Sequence, residues 1–514
     1  MPTSINKAIF LDLKELTSLA ENHNTSDQEI FRKINHLDNK YTGNKLYAAN
    51  INGSICNIGS TRRSINLLNF TITRLQKQLE SSTLEKLNYD LGNAILCITE
   101  IKNPYPHKIE YLINSKKFNE SRYFLNKVTT HNTYYPTAIT NSANILEKYG
   151  RNLEAIYLYD KAIHYNEHFG MALGNKAQSI EYYINLSPQK SLRLMDIACS
   201  LYKKSLTDKD LEEIGGPHVR DFFISRIKFI SDYLENCNFT PHQLNKKPTI
   251  KSKYLKFCLE RNLFLNWDFG HYYDKYSTHD SFFPAHTFHT SETKSTHADF
   301  MPKRSYFIFQ IFNQILESYT TSRFQFFQAI NTKTEKLDDL VNYTYTFDHS
   351  KHSHNYGAIK NVMSCLYNCL DKIGHLLHYN FLPEDEDESR DIYFHWLLDE
   401  SFKNIIIKQN NYQLLALRSL ALDFQKGQQY SHLNKIRNRI THSFLSITPD
   451  YSTNHDNSDE KITEISLIKS TEEMFLIVKS ALMYTTTAFS QKPQDTNLYF
   501  PITVTPENKI FGEI

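Results

Sequence analysis

The residues in this chain with the clearest chemical potential form one hexapeptide, Arg437-Asn438-Arg439-Ile440-Thr441-His442. An imidazole titrates near neutrality and can take or give a proton, and a guanidinium presents a planar fork of donors that matches phosphate oxygens. A carboxamide beside them can orient either group. Chemistry of that kind requires the three side chains to project from one rigid element. The surrounding stretch SHLNKIRNRITHSFLSI supplies one, because Leu433, Ile436, Ile440 and Phe444 recur every three or four residues and predict a helix with a buried stripe. Arg437 falls at the edge of that stripe. At about 100° per residue, Asn438, His442 and Leu445 share a separate face, which a monomer would leave in water.

The hexapeptide resembles the signature of the HEPN superfamily (higher eukaryotes and prokaryotes nucleotide-binding), whose ribonuclease members carry Arg, four to six residues, then His, commonly with Asn or Asp after the Arg. The resemblance spans roughly residues 250 to 490. Its blocks FCLERNLFLN, AIKNVMSCLYNCLDKIGHLL and IRNRITHSFL follow the order of a subgroup that also carries N-terminal tetratricopeptide repeats. It implies a metal-independent endoribonuclease in which the 2′-OH of RNA attacks the neighbouring phosphorus, leaving a 2′,3′-cyclic phosphate and a 5′-OH. His442 would then transfer protons, Arg437 would stabilise the charged phosphorane, and Asn438 would orient His442 or the phosphate. DNA, with no 2′-OH, would not be cut by this route. The resemblance further implies a homodimer in which two such helices build one composite cleft, and a role in stress response or anti-phage defence. Asp371, in CLDKIG, is a candidate partner that fixes the fork of Arg437, or else a solvated carboxylate. His375 and His378, one turn apart on the same predicted helix, are packing or surface residues, or else approach the cleft.

Upstream, a period of 34 residues runs between about 107 and 190. Asn141 and Ala143 recur as Asn175 and Ala177, and Ser121 stands 34 positions before Ala155. The pattern resembles the tetratricopeptide repeat, with Gly150 at the turn between two helices and Ala155, Tyr159 and Ala162 on the second helix. Small residues are needed where helices cross closely, and an aromatic ring fills the gap beside them. The segment YDLGNAI, residues 89–95, reads as the first helix of a further repeat, displaced by an insertion or a shortened repeat. Such stacks hold a protein or a peptide, so the expected partners are RNA, a second copy and a protein or peptide trigger.

The elements expected around these signals are almost all helical. Glycine (14) and proline (15) are scarce in 514 residues, which leaves few breakers, and the 40% hydrophobic content is enough for real cores. The fold class is therefore all-α: a tetratricopeptide-like helical stack over 1–245, a HEPN helical bundle over 246–490 with a long internal loop near 266–300, and a tail over 491–514. Helices are expected in KSKYLKFCLERNLFL, RSYFIFQIFNQILESYTTSRFQFFQAI, GAIKNVMSCLYNCLDKIGHLLHYNFL, NYQLLALRSLALDFQ and EEMFLIVKSALMYTTTAF. The runs PEDEDES and TPDYSTNHDNSDEK read as polar loops.

Composition excludes several functions. With 58 basic and 56 acidic residues the chain is no polycation, so contact with RNA must be local. No run of about 18 apolar residues occurs and the N-terminus lacks a signal-like apolar core, so a cytoplasmic protein without membrane contact is expected. Seven scattered cysteines without a CxxC pair argue against a disulfide framework and a zinc ribbon. Neither the histidines of AHTFHT with His271, His279 and His297 nor those of DHSKHSH have metal-ligand spacing, and no phosphate-cradling glycine loop or nucleophile elbow is present, so no cofactor is expected. Two non-enzymatic readings stand beside the nuclease. One is an adaptor whose bundle only dimerises or holds RNA; the other is a peptide-responsive regulator, for which no DNA-reading helix-turn-helix is found.

Overall fold

The computed structural model describes residues 4–22, 24–103, 105, 108–186, 191–239, 250–267, 275–282, 303–345, 347–381, 392–449 and 460–490. The chain divides into two compact units: Met1–Asn245 with Gln425–Gln429, and Lys246–Phe424 with Tyr430–Ile514. Among the described residues there are 21 α-helices and one pair of three-residue strands, so the fold is all-α.

The first unit is a stack of helices: α1 (Ser4–Glu21), α2 (Asp27–Lys40), α3 (Lys45–Thr61), α4 (Ile65–Leu79), α5 (Glu85–Lys102), α6 (Ile109–Asn114), α7 (Lys117–Leu125), α8 (Tyr135–Lys148), α9 (Asn152–Tyr165), α10 (Gly170–Leu186), α11 (Leu192–Ser205), α12 (Leu211–Gly215) and α13 (Val219–Asn236). Side-chain caps mark where several of them start. Ser26 and Glu29 form a reciprocal capping box on α2, and Asn44, Ser64 and Ser191 accept from the third residue of α3, α4 and α11. Packing runs in sequence order, α3 on α4, α4 on α5, α5 on α7, α8 on α9, α9 on α10 and α10 on α11.

The period of 34 has a physical basis in α8–α10. Ala143, Ala155, Ala162 and Ala172 are fully buried and meet in one cluster with Tyr159, while Gly150 makes the turn between α8 and α9 at φ +76°, a conformation that disfavours a side chain. YDLGNAI lies in α5, whose partner across the turn is α7, with the short α6 inserted between them. This extra helix lies where the spacing departs from 34.

The second unit contains α14 (Lys253–Glu260), α15 (Lys303–Asn331), α16 (Glu335–Asp338), α17 (His354–Phe381), a 3-10 turn at Phe394–Leu398, α18 (Glu400–Gln409), α19 (Tyr412–Asp423), α20 (Ser431–His442), β1 (Ser446–Thr448), β2 (Lys461–Thr463) and α21 (Glu464–Ser490). Helix α17 is its axis, packed against α15, α20, α21 and the 3-10 turn. Its length follows from an apolar stripe, Ile359, Val362, Met363, Leu366, Leu370, Ile373 and Leu377, at helical spacing.

Several expectations are corrected. The helix expected over 251–265 ends at Glu260, because Asn262 turns left-handed (φ +53°) and Leu263 N–H bonds back to Cys258 O at 2.8 Å. Leu263, Phe264 and Leu265 then pack as irregular buried chain. SHLNKIRNRITHSFLSI stops being helical at His442; its last residues form β1, which pairs in parallel with β2. As a result Phe444 is exposed and not part of the stripe, and Leu445 is buried and not on the open face. Of the long loop expected near 266–300, residues 268–274 and 283–300 lie outside the described residues, as do the PEDEDES run, 450–459 and the 491–514 tail. The described part of the loop is tied down by Asp280, whose two oxygens meet Arg323 at 2.8 Å each. Among the described residues no helix is long and apolar enough to cross a membrane.

Candidate functional site

Helix α20 presents the hexapeptide. Leu433 and Ile436 are buried and Ile440 is half-buried, which anchors one side of the helix to the unit. Asn438 and His442 are exposed and Arg437 lies between the two environments, half-buried. Past His442 the chain is clasped: Ser443 leaves helical geometry, Lys360 on α17 donates to Leu445 O at 2.6 Å, and Ser446 N–H donates to Glu460 O at 2.8 Å. Arg439 adds an ion pair to Glu460 at 3.2 Å. His442 is thus the last helical residue before a fixed turn.

Arg437 is held by two neighbours. Its guanidinium carbon stands 4.9 Å from the ring centroid of Tyr367 on α17, and its Nη1 donates to Asn438 Oδ1 at 3.0 Å. Tyr367 in turn donates its hydroxyl to Asn434 Oδ1 at 3.3 Å, and burial pushes its phenol up to about 12, with the Asp371 charge adding and Arg437 opposing. The arrangement leaves other guanidinium N–H groups available to an anion such as a phosphate.

Asp371, one turn beyond Tyr367 on α17, does not ion-pair with Arg437 among the described residues. Its Oδ1 accepts the backbone N–H of Phe394 at 2.9 Å. Burial raises its carboxyl above the usual carboxylate range, against the Phe394 bond and the charges of Arg437, His395 and His375. Asp371 therefore belongs to the site's electrostatics and to the anchoring of the segment before the 3-10 turn. Asn438 is directed at Arg437, and the imidazole of His442 makes no hydrogen bond among the described residues. His378 packs 5.1 Å from the ring of Trp396.

Sequence reasoning did not find Tyr367, Asn434 or His395. Tyr367 was detectable: it stands four residues before Asp371, so the two share a face of one helix. Asn434 was detectable in the same way, four residues before Asn438 on α20; His395 carries no such signal. His349, His352 and His354 do not converge; His352 stacks on Tyr343 and His354 Nδ1 bonds Asp338 at 2.6 Å. Among the described residues no three His, Cys, Asp or Glu side chains group as metal ligands.

The first unit holds a polar cavity of about 330 Å³ between α1, α3 and α5. Lys14, Asn50 and Asn93 line it, and its floor is the Lys86–Asp90 ion pair (2.8 Å) beside the stacked rings of Tyr89 and Tyr134.

Helix α20 thus exposes Asn438 and His442 beside a half-buried Arg437, and the span around it is similar to a known helical family. Residues 301–492 match the family model described as LA2681-like HEPN, a span that includes α15, α17, α20 and the Tyr367–Arg437 contact. No curated protein and no solved structure matches the chain.

Proposed function

We propose that this protein is an endoribonuclease that cleaves RNA through Arg437, Asn438 and His442. The observation that carries the reading is the exposure of Asn438 and His442 beside a guanidinium already oriented by Tyr367, inside the matched HEPN span. The 2′-oxygen of one nucleotide forms a bond to phosphorus as the bond to the 5′-oxygen breaks. A neutral imidazole takes the 2′ proton, and a protonated imidazole gives one to the departing 5′-oxygen. Arg437 meets the charge that builds on the phosphoryl oxygens, with Asn438 holding its fork.

A single chain supplies one His442, so the acid and the base are best supplied by two copies facing each other across a two-fold axis. The exposed face of α20 supports that dimer. Asp371 serves as the half-buried counter-charge behind Arg437. The polar cavity of the first unit supports a regulatory role there, with a protein or peptide trigger engaging its amides and cations.

The test is to incubate the full chain with total cellular RNA in EDTA beside His442→Ala and map the new ends. Cleavage that leaves cyclic phosphates and vanishes in the variant supports the reading. No cleavage with or without candidate triggers moves the protein to a non-catalytic role that holds RNA or dimerises.

A further inference from the structure

The chain from Ile392 to Leu397 alternates in burial. Ile392, Phe394, Trp396 and Leu397 are inside, whereas Tyr393 and His395 are turned out, Tyr393 with 45% of its surface exposed. The two outward rings lie 13° from parallel with centroids 5.8 Å apart. Their backbone has little freedom. Tyr393 O packs so closely on α17 that a side chain at Gly374 would come within 2.9 Å of it, Asp371 holds the Phe394 N–H, and Trp396 packs against Phe402 and His378.

This rigid pair stands beside the hexapeptide. Tyr367, Asp371 and Gly374 follow one another along α17 at about one turn each, roughly 4.5–6 Å of helix axis per step. Arg437 lies over the first of them and Tyr393 against the last. The Asp371 carboxyl between them feels the charges of both Arg437 and His395. A second outward Tyr–His pair, Tyr343 and His352, lies elsewhere in the unit, 19° from parallel with centroids 5.5 Å apart; Tyr393 and His395 differ in facing water next to the guanidinium of Arg437. Flat rings with open faces beside a cation suit a nucleobase, because every base has a π-face to stack while its phosphate meets the charge.

We propose that Tyr393 and His395 form a base-stacking platform for single-stranded RNA, seating an unpaired base one short stretch of strand away from the phosphate on Arg437. The proposal rests on the ribonuclease reading for its ligand. It sets a substrate class, RNA with an unpaired base near the cut, and excludes the interior of a duplex, whose bases already stack on each other.

The test separates binding from cleavage. A short 2′-O-methyl RNA, which cannot supply the attacking hydroxyl, carries 2-aminopurine at successive positions and is titrated with the full chain, and stacking is read as quenching. One position should quench, and Tyr393→Ala and His395→Ala should each remove the quenching and weaken binding about tenfold. Tyr393→Phe should keep both, as should Tyr345→Ala, which removes an exposed ring elsewhere in the unit. Unchanged quenching in both alanine variants, equal loss in Tyr345→Ala, or no binding of this RNA by the parent would overturn the platform. Quenching that depends on Tyr393 in a protein that cuts no RNA would uphold the platform and sink the ribonuclease.

Discussion

Polar side chains are used in opposite ways in two places, the α8–α10 stretch of the first unit and helix α20 of the second. In the first, polar groups are drawn inside and joined. The Tyr159 hydroxyl, fully buried, lies 2.7 Å from both Asn144 Oδ1 and Glu147 Oε2, Asn175 donates to Asn144, and Ser179 donates to Glu147. In the second, Asn438 and His442 stay at the surface and Arg437 lies half-buried, held by Tyr367 and Asn438. A buried network is costly to break and so ties sequence to stability; an exposed set contributes little to stability and is free to serve a ligand.

That contrast is open to a graded series of substitutions. The largest effect belongs to the exposed set: His442→Ala should lower RNA cleavage by at least about a hundredfold while thermal unfolding stays within about 1 °C of the parent. A variant that loses its fold would break the comparison at once. Next, Tyr159→Ala should destabilise the first unit by about 3–5 kcal/mol, from a large cavity and stranded partners. Both tryptophans, Trp267 and Trp396, belong to the second unit, so the loss should show in urea unfolding followed by far-UV circular dichroism and not in tryptophan fluorescence.

A third effect is a pH dependence. Burial raises Glu147 to about 7, against hydrogen bonds from Ser179 and Tyr159 and the charge of Lys148. The folded state therefore holds a proton that the unfolded chain releases near 4.5. Stability of the first unit should fall as pH rises from about 4.5 through 7, by on the order of 3 kcal/mol, and Glu147→Gln should flatten the slope. A parent whose stability rises over that window would contradict the assignment. The smallest effect is expected at Asp371→Asn, whose amide oxygen still accepts the Phe394 N–H. Stability should change by less than about 1 kcal/mol, and any loss of cleavage would then report the missing charge alone.

What the sequence made legible follows from how local each cause is. Buried alanines at a spacing of 34 and a glycine at Gly150 announce helix crossings and a turn, because no larger residue serves there. The long apolar stripes of α17 and α21 are equally local. The end of α20 was not legible: Ser443-Phe444-Leu445 continues the helical pattern on paper, and what breaks it is Lys360, 85 positions earlier, bonding Leu445 O. The partner of Asp371 was hidden for the same reason, since a backbone N–H at Phe394 leaves no trace in side-chain spacing. The Arg437–Asn438–His442 set could be read because one helix carries all of it; the Tyr367 contact requires two.

Gly374 acts as a spacer of zero thickness. With nothing between α17 and the backbone of Tyr393, the stand-off of the outward rings from the helix is set by the absence of one carbon, and an alanine there would push the crossing segment outward. Position 374 is therefore the place where a single methyl group would retune the registration between ring and guanidinium without altering either of them.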